Sequence, residues 1–95
     1  MSLEALASKY ISSAEKVFKE LEHAKLPISM TDEAVTKVLS WATDYLGDAK
    51  YYKAQGKFET SLTSVAYCEG LLDALRLLGA VKFEWPPNKE REKLS

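Results

Sequence analysis

The sequence predicts an all-α fold, an up-down-up antiparallel three-helix bundle with a short C-terminal extended arm. Three observations predict it. Apolar residues return in steps of three and four through three separate segments, a proline or a glycine closes each segment, and no alternating stretch is long enough to make a useful strand. Short connections between long helices then favour antiparallel neighbours.

The first segment places Leu3, Ala7, Tyr10, Ala14, Val17, Leu21 and Ala24 on one stripe, with Ser8, Ser12, Lys16 and Lys19 on other faces. Its end is expected near Leu26, which precedes Pro27 and is pushed out of the helical region. A second start follows at "SMTDEAV": Thr31 suits the N-cap, Asp32 and Glu33 complement the positive end of the helix dipole, and Met30 can staple onto Val35. That helix carries Val35, Val38, Ala42, Tyr45, Ala49 and Tyr52 inward, and stops at Gly56, the residue best suited to a left-handed C-cap.

The third helix is expected from about Phe58 to Leu78, ending at Gly79 by the same logic. Lys57, just ahead of it, offers no acceptor for its first N–H groups. Gly47 and Gly70 lie inside helices two and three, and a close helix contact, better placed at Gly70, is the expected reason. At 100° per residue, Phe58, Leu62 and Val65 form one line that continues into Glu69, Asp73 and Arg76, whereas Cys68, Leu71, Leu72, Leu75 and Leu78 move to another face. The core stripe of this helix is therefore expected to change sides midway. Beyond it, "AVKFEW" alternates as an arm, giving one domain over residues 1–85, and the charged "NKEREKLS" after Pro86 and Pro87 belongs to a frayed tail over 86–95.

Composition narrows the function. Ninety-five residues with 13 basic and 14 acidic side chains give a formal charge of −1. No summed field draws such a chain to phosphate backbones or anionic lipid, which disfavours nucleic acid as a partner. The basic residues Lys50, Lys53 and Lys57 keep docking to a nucleic-acid machine as a local, minor reading. One cysteine, Cys68, cannot close an internal disulfide and reads as a buried small side chain. "MSLEALASKY" lacks the basic start and apolar block of a signal peptide, and no apolar run approaches the ~20 residues needed to span a bilayer. A soluble, cytoplasmic protein with no membrane partner is the expectation.

Catalytic constellations are absent: no phosphate loop, no paired cysteines and no nucleophile beside a base at a recognised spacing. A non-enzymatic protein without a cofactor follows. The unusual feature is acidic. The antiparallel return at Gly56 sets Glu69 level with Asp44 and Val65 with Asp48, so Asp48, Glu69 and Asp73, with Arg76, are the candidates for a ligand site or a polar seam. Three readings compete: a seam open to water with Arg76 pairing Asp73, a buried polar seam that fixes register, or an oxygen-ligand site for a divalent cation or small cationic ligand. Carboxylate metal sites in bundles normally add Glu-x-x-His pairs, which this chain lacks, and its one histidine, His23, falls on the polar side of helix one. No metal is therefore assigned. The ridge Trp41, Tyr45 and Tyr52 reads as core edge or the wall of a small pocket.

The leading functional expectation rests on excess. Apolar residues cover more of the last turns of helix three than two neighbouring helices need, so Leu71, Leu77 and Leu78, with Val81, Phe83 and Trp85 of the arm, are candidates for an interaction surface. Either the arm folds back over them or a second chain covers them. A homodimer or another protein partner is the expected occupant.

The hairpin "YLGDAKYYKAQGKFETSLTSVAYCEGLLDALRLLG" resembles the family Domain of Unknown Function 357, through Asp48-Ala49, Tyr52, Gly56 with Phe58, Tyr67, Gly70, Asp73-Ala74 and Leu78-Gly79. Lys57 departs from the pattern, which has an acid after the turn glycine. The resemblance implies a three-helix bundle of archaeal, cytoplasmic origin and carries no assigned activity. The same hairpin is weakly similar to half of a tetratricopeptide unit, but its helices are too long and no second copy follows.

Overall fold

A computed structural model describes residues 2–87 of the chain. Among them are three α-helices and no strand: α1 (Leu3–Glu20), α2 (Asp32–Ala54) and α3 (Phe58–Leu77). Of the tail expected over 86–95, residues 88–95 lie outside the described residues.

Each start is set by a local donor–acceptor match, or by its lack. Ser2 caps α1 by accepting from the Ala5 N–H at 3.0 Å, and Thr31 caps α2 by accepting from the Ala34 N–H at 3.1 Å. At α3, Lys57 makes no side-chain cap hydrogen bond, as its chemistry dictates. Both long helices end alike. Gly56 (φ 76°) and Gly79 (φ 80°) adopt the left-handed conformation, and the paired bonds of a Schellman motif close each end: Gly56 N–H to Lys53 and Lys57 N–H to Tyr52, then Gly79 N–H to Arg76 and Ala80 N–H to Leu75.

The packed unit is the α2–α3 hairpin. Its α2 face is the one the periodicity predicts, with Ala42 and Ala49 buried and Val35, Val38, Tyr45 and Tyr52 half-buried beside them. On α3 the buried flank runs Ser61, Val65, Cys68, Leu72 and Leu75 without interruption. This overturns the expected midway change of sides. Phe58 and Leu62, assigned to the core line, are 61% and 67% exposed. Small side chains explain the difference: Ala42 and Ala49 on α2, and Ser61 and Cys68 on α3, recur every seventh residue and let the helices approach closely, so the bulkier residues turn outward. The register is fixed by the Ser61 hydroxyl, which donates to the Ala49 carbonyl at 2.7 Å, and by Tyr45 stacked on Tyr67 with centroids 4.3 Å apart.

Neither interior glycine marks a close contact. A Cβ built on Gly47 or Gly70 meets nothing within 4 Å, so the expectation of a tight helix crossing there is corrected. α1 is also shorter than its apolar stripe, because Leu21 is already extended (φ −64°, ψ 144°) and the stripe residue Ala24 lies outside the helix. The cause is the absence of tertiary support: α1 makes no packing contact with α2 or α3, none of its residues is buried, and an isolated helix of this length is marginal on propensity alone.

Candidate functional site

Gly79 reverses the chain and sends residues 81–85 back along α3. The alternation seen in the sequence decides which side chains face the helix: Val81, Phe83 and Trp85 are half-buried, while Lys82 and Glu84 are exposed. The arm is tied down at one atom. Asp73 Oδ1 accepts from Trp85 Nε1 at 3.0 Å, from Arg76 Nη2 at 3.0 Å and from Arg76 Nε at 3.1 Å. Above this node the Arg76 guanidinium lies 5.8 Å from the centre of the Phe83 ring, which meets Trp85 edge to face at 4.9 Å.

The Trp85 indole bond, then the two bonds from Arg76 and its positive charge, hold the Asp73 carboxyl below the usual carboxylate range. Asp73 is thus an anionic peg for the arm. Glu69 stands one turn earlier, half-buried, and with Gly70, Asp73 and Trp85 lines a shallow groove of about 260 Å³. Cys68 is 5% exposed, and burial, followed by the charge of Glu69, pushes its thiol pKa up, so it is held protonated rather than activated.

Of the predicted seam, the structure brings together Asp73 and Arg76, and places Glu69 on the same groove. Asp48 is exposed on α2 and does not line that groove. Among the described residues no three His, Cys, Asp or Glu side chains lie close enough to hold a metal ion. The predicted interaction residues divide. Val81, Phe83 and Trp85 are folded onto α3, whereas Leu77 and Leu78 remain 74% and 67% exposed, uncovered by the arm. Leu71 is half-buried and lines an apolar notch of about 240 Å³ with Val38, Trp41 and the Lys37 side chain. Trp41 is 52% exposed, so the aromatic ridge is the rim of that notch at one end and the hairpin interface at Tyr45 and Tyr52.

Sequence reasoning missed two contacts. The bond from Trp85 to Asp73 joins residues twelve apart across a chain reversal, and only the period-two pattern of the arm signalled that one of its faces would find α3. The bond from Ser61 to Ala49 needed the hairpin register, which a hydroxyl on an apolar flank hints at but does not fix.

No helix among the described residues is long and apolar enough to cross a membrane. Comparison with curated proteins and with solved structures finds no match. A family comparison does, over residues 9–81, with the family described as protein of unknown function, DUF357. That span takes in most of α1 together with the whole hairpin, its two glycine caps and the Asp73–Arg76 pair, and on it the chain belongs to the DUF357 family.

Proposed function

We propose that this protein is a non-enzymatic protein-interaction module that self-associates. The observation that carries the reading is uncovered apolar surface. Large apolar side chains stand in solvent on α1 and at the end of α3, Phe18 at 78% and Leu77 at 74% exposed among them. Among the described residues the buried hydrophobic side chains are Ala42, Ala49, Cys68 and Leu75, three of them small. Such a core is thin for a domain of this length, and it leaves apolar side chains for another surface to cover.

Two faces supply the surface. One is the stripe of α1, where Leu3, Tyr10 and Val17 are each at least 60% exposed; the apolar notch at Val38, Trp41 and Leu71 is a place on the hairpin that could receive it. On this reading α1 closes the hairpin into an up-down-up bundle; the linker 21–31 reaches ~35 Å when extended, about the length of α2. The other face is the end of α3 at Leu77 and Leu78, which meets the same residues of a second copy in a twofold homodimer. The archaeal, cytoplasmic setting implied by the family resemblance suits a chain whose one cysteine is a buried thiol.

Size-exclusion chromatography with light scattering tests the self-association. The expected result is a mass that rises toward twice the chain mass at tens of micromolar, and that falls back to one chain in Leu77→Glu/Leu78→Lys with unchanged helix content. A strictly monomeric wild-type chain at those concentrations sinks it.

A further inference from the structure

We infer that the tip of the α2–α3 hairpin is a binding site for single-stranded nucleic acid. Residues 49–58, "AKYYKAQGKF", carry three lysines and no acid between the exposed Asp48 and Glu59, so the tip is locally positive in a chain whose formal total is −1. Lys50, Lys53 and Lys57 are all exposed, and among the described residues none has a carboxylate partner, the one ion pair being Arg76 with Asp73. Aromatic rings are interleaved with them. Tyr51 is 60% exposed and meets Tyr52 edge to face at 5.2 Å, while Lys57 Nζ lies 6.0 Å from the Tyr52 ring centre and Phe58 is 61% exposed beside it.

Lys57 is the informative residue. It occupies the N-cap of α3, where a side-chain acceptor and negative charge stabilise a helix, and it supplies neither. Choices that lose local stability gather where function demands them. The Schellman turn holds Lys57 in place, its N–H bonded to the Tyr52 carbonyl at 2.9 Å, so the ammonium group is presented on a fixed backbone beside the tyrosine pair. Cations that track phosphates and exposed rings on which bases stack are the two parts of a sequence-tolerant single-strand site. An anionic membrane or an acidic protein surface would also engage the lysines; exposed rings interleaved with them favour a partner whose bases stack. The site is independent of self-association, because Leu77 and Leu78 close α3 at its other end.

Fluorescence anisotropy of the full chain with a labelled oligothymidylate or oligouridylate, over a salt series, tests the inference. Three neutralised phosphates predict a log–log salt slope of about −2, so affinity falls roughly 20-fold between 50 and 200 mM salt. Lys50→Gln/Lys53→Gln/Lys57→Gln abolishes binding, and Tyr51→Ala weakens it about tenfold without changing the slope, both with wild-type helix content by circular dichroism. Absence of binding at the lowest salt overturns the site. So does retention of binding in the triple lysine variant, an inert Tyr51→Ala with duplex competing equally, or attachment to phosphatidylserine vesicles without attachment to the oligonucleotide.

Discussion

At Asp73 one carboxylate oxygen takes three hydrogen bonds and so holds the arm, and its lowered pKa fixes how that hold responds to pH. A depressed carboxylate contributes stability in full above its unfolded value, about 3.9, and loses it as pH falls through the lower folded value. Glu69, Arg76, Lys82 and Glu84 are the other charged groups on α3 and the arm around it. In a Trp41→Phe background, where Trp85 is the only tryptophan, emission is expected to stay constant from neutral pH to about 5 and to shift to the red below about 4. Asp73→Ala, which removes the acceptor, should show the red-shifted spectrum already at neutral pH; an unchanged spectrum would mean that the arm is held by ring packing alone. Cys68 gives a second test at this scale. Buried and held as the neutral thiol, it should react with a thiol reagent at pH 8 many times more slowly than in denaturant, and labelling at the unfolded rate would contradict its place in the seam.

The elements were legible to different degrees, and the reasons are physical. α2 could be read almost completely: its cap, its Gly56 stop and its whole inward face follow from Thr31 to Gly56, because every inward residue is apolar and the pattern has one solution. α3 could not. Ser61 and Ser64 sit toward the hairpin while Phe58 and Leu62 point away, so a rule that sends large apolar residues inward chose the wrong flank for its first half. What decided the flank was the space between the backbones, set jointly with α2 and invisible in either helix alone. Of the candidate site, the Asp73–Arg76 pair was readable from its i, i+3 spacing, whereas the part played by Trp85 was not.

Two substitutions test this account of the hairpin. Gly47→Ala should stabilise the protein by up to about 1 kcal/mol in denaturant unfolding, since an added Cβ meets nothing within 4 Å and the helix gains propensity. Ala49→Leu should destabilise it by about 1–3 kcal/mol, because Ala49 is buried and its carbonyl receives the Ser61 hydroxyl. A neutral Ala49→Leu would show that the helices are not in close contact there.

For the whole molecule, the radius of gyration is 16.0 Å, against about 12 Å for a compact chain of this length. α1 contributes to that excess, because it lacks packing contacts with the hairpin. Hydrogen exchange separates the proposed bundle from an independent helix. If α1 closes the hairpin, its amides are expected to exchange far more slowly than in a peptide of residues 1–25, at every protein concentration. Peptide-like exchange at all concentrations would rule out that docking, and protection that appears only as concentration rises would mean that the helix is covered by another copy.

The recurrence of small side chains every seventh residue at the α2–α3 seam also bears on how the sequence can diverge. Positions 42, 49, 61 and 68 are expected to interchange among alanine, glycine, serine and cysteine in related chains, since a larger group at any one would pry the pair apart. Positions 58 and 62, bulky yet turned outward, are under no such steric ceiling and should drift freely unless a bound molecule restrains them. Where relatives keep an aromatic at 58, the restraint points to a ligand and not to the fold.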